Sequence, residues 1–151
     1  MLYSKSVEYA IQALGHLAQI PEGSHRMARL IAEEENLPSF FLAKTLQSLT
    51  RQGMLRSAKG PTGGFGLAVP ARKIRLIDVI EALDGLDDLE DGTSALPNFR
   101  PIRSSILQYL KTTTIADVSE QSRKAKKAAA RKKAKKTVKK AVKKAAKKRR
   151  R

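Results

Sequence analysis

Residues 123–151 contain 18 Lys/Arg and not one Asp or Glu. Such a segment cannot bury a core, because like charges repel and its few apolar residues are mostly alanine. Whatever folds cooperatively must therefore lie in the remaining 122 residues. These hold 13 Lys/Arg against all 14 Asp/Glu, so the chain's formal net charge of +17 belongs to its tail alone. The body is segregated too. Residues 26–75 carry nine bases and three acids, whereas residues 76–122 carry three bases and nine acids. A basic middle ahead of an acidic second half gives one surface suited to a polyanion and another that faces elsewhere.

The absence of cysteine excludes disulfides, thiol nucleophiles and any metal or cluster site built on thiolates. With no run of 18 apolar residues and no basic-then-apolar leader, the expectation is a soluble, cytoplasmic protein without a membrane partner.

Apolar spacing predicts a first helix from about Ser4 to Ile20, carrying Tyr9, Ala10, Ala13, Leu14, Leu17 and Ala18 and ended by Pro21 and Gly23. A short second helix places Met27, Leu30 and Ile31 on one face and breaks at Asn36. The third starts with Ser39 as N-cap, buries Phe41, Leu42, Leu46 and Leu49, and stops at Gly53, a residue suited to a left-handed C′ position. Two short helices joined by a tight turn fit a helix-turn-helix. The run 54–59, the cluster Gly60-Pro61-Thr62-Gly63-Gly64 and the alternating Phe65, Leu67 and Val69 then read as two strands around a glycine-rich tip, a wing with Lys59 beside it. The cluster is no nucleotide loop, since it lacks the Gly-Lys-Ser/Thr ending and no G-x-G-x-x-G is present.

Beyond the wing, Leu76, Val79, Ile80 and Leu83 predict a helix from Arg75 to Leu83. An acidic connection follows over 84–101. From Ile102 to Val118 the apolar residues Ile102, Ile106, Leu107, Leu110, Ile115 and Val118 return at helical spacing. That stripe needs a partner surface, which a two-fold mate would supply. The expected fold is mainly α with a small β wing. It comprises a winged helix-turn-helix domain over 1–83, an acidic loop and long dimerisation helix over 84–118, and a disordered or transiently helical basic tail over 119–151.

The third helix offers Ser39, Phe40, Ala43, Lys44, Gln47, Ser48 and Arg51 outward. Gln can bond adenine bidentately, Lys can reach guanine acceptors or phosphate, and Ser can bond phosphate. The alternative is a trihelical core whose polar face is merely wet or meets a protein. In the tail, Arg123, Lys126, Lys127, Lys132, Lys135, Lys139, Lys143, Lys147 and Arg149 are suited to phosphate backbones, bound through counterion release without sequence preference. The acidic run Asp84, Asp87, Asp88, Glu90 and Asp91 fails the EF-hand pattern, because Leu89 takes a ligand position, and reads as a solvated loop. His16 and His25 lack metal-ligand spacing and read as exposed histidines. No nucleophile–base pair, metal set or phosphate loop indicates an enzyme.

The stretches Leu37–Leu49 and Gly53–Ala68 resemble the Rrf2 family of bacterial regulators, whose hallmark is "IP-x-x-YL-x-K-x-LQ-x-L" joined to "GL-x-x-S-x-RG-x-x-GGY-x-LA". Phe41 and Phe65 stand for the tyrosines and Lys59 for the wing arginine. Ser4, Lys5, Tyr9, Ala10 and Leu14, then Ile74, Leu76, Asp78, Val79 and Ile80, then Thr114–Val118 extend the resemblance over about residues 2–118. It implies a homodimer crossed through Ile102, Ile106, Leu107 and Leu110, with two recognition helices entering successive major grooves of double-stranded DNA at a pseudo-palindrome. Phe40, Phe41, Ala43 and Lys44 take the groove-facing positions, and Lys59, Gly60, Gly63 and Gly64 the wing contact.

The departures concern sensing. Related sensors carry up to three cysteines in the region matching 84–103, so no iron–sulfur cofactor is expected here. Some cluster-binding relatives use a carboxylate where Glu8 stands, and iron–sulfur members often have an acid at the position of Ala43. Arg75 replaces a usual Ser/Thr N-cap, a loss of about 1 kcal/mol. The tail resembles the arms of linker histones and bacterial histone-like proteins. The resulting expectation is a homodimeric, nucleoid-associated repressor whose tail adds nonspecific affinity. The alternative is a histone-like nucleoid-structuring protein. No small-molecule effector is identifiable.

Overall fold

Val7, Ala10, Ala13, Leu14 and Leu17 wind down one side of the first helix, α1 (Lys5–Leu17), and all are buried. The computed structural model describes residues 3–86, 99–128 and 130–131, with 99–101 by backbone alone. The chain divides into a unit over 1–119 and a second over 120–151. α1 ends three residues before the expected Ile20. Val7 joins the core in place of Tyr9 and Ala18, which are only half-buried.

α2 (Ala28–Glu35) and α3 (Ser39–Arg51) follow. Asn36 joins them in the left-handed conformation at φ 56°, while the Leu37 N–H reaches back to the Ala32 carbonyl at 2.8 Å. α3 ends in the corresponding glycine form. Gly53 sits at φ 76°, its N–H bonds Thr50 O at 3.1 Å, and the Met54 N–H bonds Leu49 O at 3.0 Å. The N-cap is Pro38 rather than Ser39, which is already helical. Met27, expected on the apolar face of α2, is its exposed N-cap. The buried face of α3 consists of Leu42, Thr45, Leu46 and Leu49 and packs on α1, α2 and α4 (Leu76–Asp84). Phe41 is not part of it, being 61% exposed. Thr45 takes that side of the turn, its hydroxyl satisfied by the Phe41 carbonyl at 2.9 Å.

His16 was expected to be exposed, but its side chain is only 13% accessible. Its Nδ1 lies 2.9 Å from Glu35 and its Nε2 3.2 Å from Glu34, which ties α1 to α2.

The wing pairs β1 (Leu55–Ala58) antiparallel with β2 (Gly64–Leu67), from Leu55 opposite Leu67 to Ala58 opposite Gly64. A third segment, not foreseen from the sequence, adds to its edge. Arg26 and Phe65 exchange both backbone hydrogen bonds at 2.9 Å. The expected alternation is incomplete: Phe65 and Leu67 are half-buried, whereas Val69 lies beyond the strand and is exposed. The buried position of β2 is Gly66, where a Cβ would overlap the Ser24 carbonyl oxygen.

α4 buries Leu76, Ile77, Val79 and Ile80. Arg75 does not leave its start uncapped. The Asp78 carboxylate accepts the Arg75 backbone N–H at 2.9 Å and the guanidinium at 2.6 Å. Burial acts to raise the Asp78 pKa, but these bonds and the Arg75 charge outweigh it and hold the carboxyl below its ordinary value. At the other end of α4, Asp84 accepts both the backbone N–H and the hydroxyl of Ser4, at 2.6 and 2.7 Å. Asp84 thus anchors the start of α1 and is not part of a solvated loop. Asp87, Asp88, Glu90 and Asp91 lie outside the described residues.

The single helix expected over 102–118 is two. α5 (Phe99–Thr112) stops, and α6 runs over 115–128. Thr114 and Asp117 form a reciprocal capping box. The Thr114 N–H donates to Asp117 at 2.9 Å and the Asp117 N–H to the Thr114 hydroxyl at 3.4 Å. The break is pinned to the body by the Leu76 N–H on Thr113 O at 3.0 Å and the Ile115 N–H on Ile74 O at 2.8 Å. Leu110 and Ile115 enter the core.

In the second unit the helix continues through 120–128, where Glu120 and Lys124 pair across one turn at 2.7 Å. Over 120–128 the segment is helical, one of the two forms expected for the tail.

Candidate nucleic-acid interface

Between Glu35 and Asp78 the chain has no carboxylate at all, yet seven Lys/Arg fall there. This acid-free stretch is α3, the wing and the turn after it. Elsewhere in the body, three described cations pair with acids. Lys5 pairs with Glu8 at 2.5 Å, Arg29 with Glu33 at 2.8 Å, and Arg26 with Glu34. Lys44, Arg56 and Lys59 have no such partner among the described residues, and Arg51 has only the Ser48 hydroxyl, at 2.9 Å. Their charge is neutralised by solvent ions alone, which a polyanion can displace.

The two parts of this face are positioned differently. On α3, the core contacts of Leu42, Leu46 and Leu49 turn Ser39, Phe40, Phe41, Lys44, Gln47 and Arg51 into solvent. Ala43 and Ser48, expected on the same exposed face, are half-buried at its margins. Ser48 acts by holding Arg51. Phe40 is 80% exposed and meets Phe41 edge to face, with ring centroids 6.0 Å apart at 84°. Positions 40, 44 and 47 lie along one helical row, so Phe40, Lys44 and Gln47 are neighbours on the surface.

In the wing, Gly60, Pro61 and Thr62 are the exposed tip, closed by the Gly63 N–H on the Gly60 carbonyl at 3.0 Å. Lys59 is exposed beside it. Gly63 and Gly64, expected as contact residues, have a structural task. A Cβ at Gly63 would overlap the Ala58 carbonyl, and one at Gly64 the Arg26 carbonyl. They let the hairpin close and let Arg26 pair with β2. Arg56 was missed, although its place next to buried Leu55 in a strand signals an outward side chain. At the wing's base a cleft of about 400 Å³ is lined by Leu17, Ile20, Glu22, Arg56, Leu67 and Val69.

The proposed dimerisation residues separate. Leu110 is 5% exposed and consumed by the chain's own core. Ile106 and Leu107 are half-buried against it. Ile102 at 56% and Tyr109 at 51% remain outside, seven residues apart on one face of α5. Arg123, Lys126 and Lys127 are exposed on α6. Lys132, Lys135, Lys139, Lys143, Lys147 and Arg149 lie outside the described residues. Among the described residues no helix is long and apolar enough to cross a membrane.

The sequence profile of the Rrf2 family, described as iron-dependent transcriptional regulators, matches residues 3–121. An HTH-type transcriptional regulator of Mycobacterium tuberculosis is 33% identical over 131 residues, which is 79% of this chain and 81% of that protein. One of Aquifex aeolicus is 40% identical over 81 residues, covering 52% of this chain and about half (54%) of the relative. Among solved structures, IscR of T. potens superposes with a TM-score of 0.67 at 28% identity, covering 83% of this chain and 90% of the other. CymR of Staphylococcus aureus gives 0.65 at 29%, covering 78% and 97%. CymR of B. subtilis, the global cysteine regulator, gives 0.69 at 24% over 80% and 98%, a likeness of fold. The chain has no cysteine, and among the described residues no three His, Asp or Glu side chains come together as a metal site.

Proposed function

The chain belongs to the Rrf2 family of transcriptional regulators, and from that premise we propose that it binds duplex DNA as a homodimer and represses transcription at a pseudo-palindromic site. The observation that carries this reading is the acid-free stretch between Glu35 and Asp78, with Lys44, Arg56 and Lys59 unpaired among the described residues. α3 enters the major groove, where Gln47 and Lys44 meet base edges, and the Lys59 tip follows the neighbouring backbone or minor groove. Exposed Ile102 and Tyr109 give the two-fold partner its surface on α5, and the half-sites lie about one helical turn apart. The tail adds sequence-independent affinity and raises the effective concentration of the reading face near DNA, in a nucleoid-associated cytoplasmic protein. Because it lacks thiolates, the protein works without an iron–sulfur cluster.

Footprinting of the full chain tests the reading. A discrete protected palindrome is expected, lost when Lys44 and Lys59 are both replaced by Met, with the salt slope falling by about 0.9 for each phosphate contact removed. A discrete footprint that survives the double substitution overturns the placement of the interface. Uniform coverage of any duplex favours instead the architectural role to which the 18 tail cations are suited.

A further inference from the structure

The most solvent-exposed large apolar group described in this chain stands on the acid-free face of its body. Phe40 is 80% and Phe41 61% exposed, in the first turn of α3. Neither ring belongs to the buried core. The rings are held edge to face at 6.0 Å, and the backbone beneath them is fixed by Thr45 on the Phe41 carbonyl. Phe40 shares its helical row with Lys44 and Gln47, and no carboxylate lies anywhere in the stretch. A neutral apolar partner would leave these cations unmatched, and a purely acidic one would leave the two rings uncovered. A duplex matches both chemistries at once, because its backbone is anionic and its major groove carries one apolar group, the 5-methyl of thymine.

We propose that Phe40 and Phe41 form a thymine-methyl reader, so that the site is chosen partly by apolar contact and not only by hydrogen bonds. The inference rests on the DNA-binding reading above and narrows it. Phenylalanine cannot hydrogen-bond a base, so at the positions under the rings discrimination falls on the methyl group. Lys44 and Gln47 read the adjacent bases by their donors and acceptors. Half-sites should therefore contain thymines at fixed places where the rings land.

The test begins with a random-sequence duplex pool selected on the full chain, followed by remaking the selected duplex with deoxyuridine for thymine. That change removes a methyl and leaves every hydrogen-bonding group in place. Affinity should drop about fourfold per contacted methyl, the equivalent of burying one such group. Phe40→Ala with Phe41→Ala should weaken binding to the thymine duplex and abolish the difference between the two duplexes. Both side chains are largely exposed, so this variant should fold, and an unchanged melting temperature verifies it. A selected duplex bound equally well with thymine or deoxyuridine overturns the methyl reader while leaving the DNA-binding reading intact. If the pool yields no preferred sequence, both fall.

Discussion

Replacing Gly64 by Ala asks whether the wing is held to the body by its backbone. The added Cβ would overlap the carbonyl carbon and oxygen of Arg26, and the residue sits at φ 138°, which L side chains rarely adopt. Keeping the native arrangement would cost roughly 1–3 kcal/mol for the backbone conformation and a similar amount for overpacking, together about 2–6. Releasing the Arg26–Phe65 pairing forfeits two backbone hydrogen bonds, roughly 1–3 kcal/mol. Release is the smaller cost, so the variant should let the edge segment go and keep the helical core. At roughly 4 °C per kcal/mol for a body of this size, the melting temperature should fall by about 4–12 °C. Amide hydrogen exchange gives the sharper readout, since the Phe65 N–H donates to Arg26 in the native wing and should lose its protection. Gly60→Ala is the control. Gly60 also has a positive φ, but nothing lies within 4 Å of its Cβ position, so Phe65 should stay protected. A Gly64→Ala protein that melts with the parent and protects Phe65 would show that this contact does not hold the wing.

Leu46→Ala empties a fully buried position on α3 and should destabilise by about 2–5 kcal/mol in urea unfolding, with binding lost only in proportion to the unfolded fraction. Asp78→Ala removes the acceptor for the Arg75 N–H and should cost about 1 kcal/mol at neutral pH. The native pKa of Asp78 is depressed, so its contribution is complete above the ordinary value of 3.8 and lost as pH falls through the native value; stability curves of parent and variant should converge in acid. Ile102→Asp changes an exposed position, so the fold should persist while light scattering reports a monomer in place of a dimer. A dimer that survives the substitution places the two-fold contact elsewhere.

What the sequence made legible was local. The i, i+3, i+4 spacing of Leu42, Leu46 and Leu49 and the left-handed breaks at Asn36 and Gly53 are decided within a few residues, and the structure has them where expected. The misreadings depend on distant partners. Phe41 fits an apolar stripe as well as Thr45 does, and only the packing of α3 on α1 and α4 selects between them. Leu110 belongs to a helical pattern that can face a mate or its own core, and α4 claims it. The break before Thr114 depends on backbone bonds to residues 74 and 76, about 40 positions away, although the Thr114/Asp117 box was a readable local cue. The candidate face divided in the same way. Lys44, Gln47 and Lys59 followed from helix and hairpin geometry, whereas the buried duty of Gly63 and Gly64 required knowing what lies above them.

That duty separates two kinds of residue within a dozen positions. The hairpin's closeness to the body is secured by glycines that no larger side chain can replace, while the tip they support has no packing obligation. Lys59, Pro61 and Thr62 can therefore be exchanged without disturbing the mount that joins the hairpin to the body, whereas a side chain at Gly60, at φ 102°, would strain the tip itself.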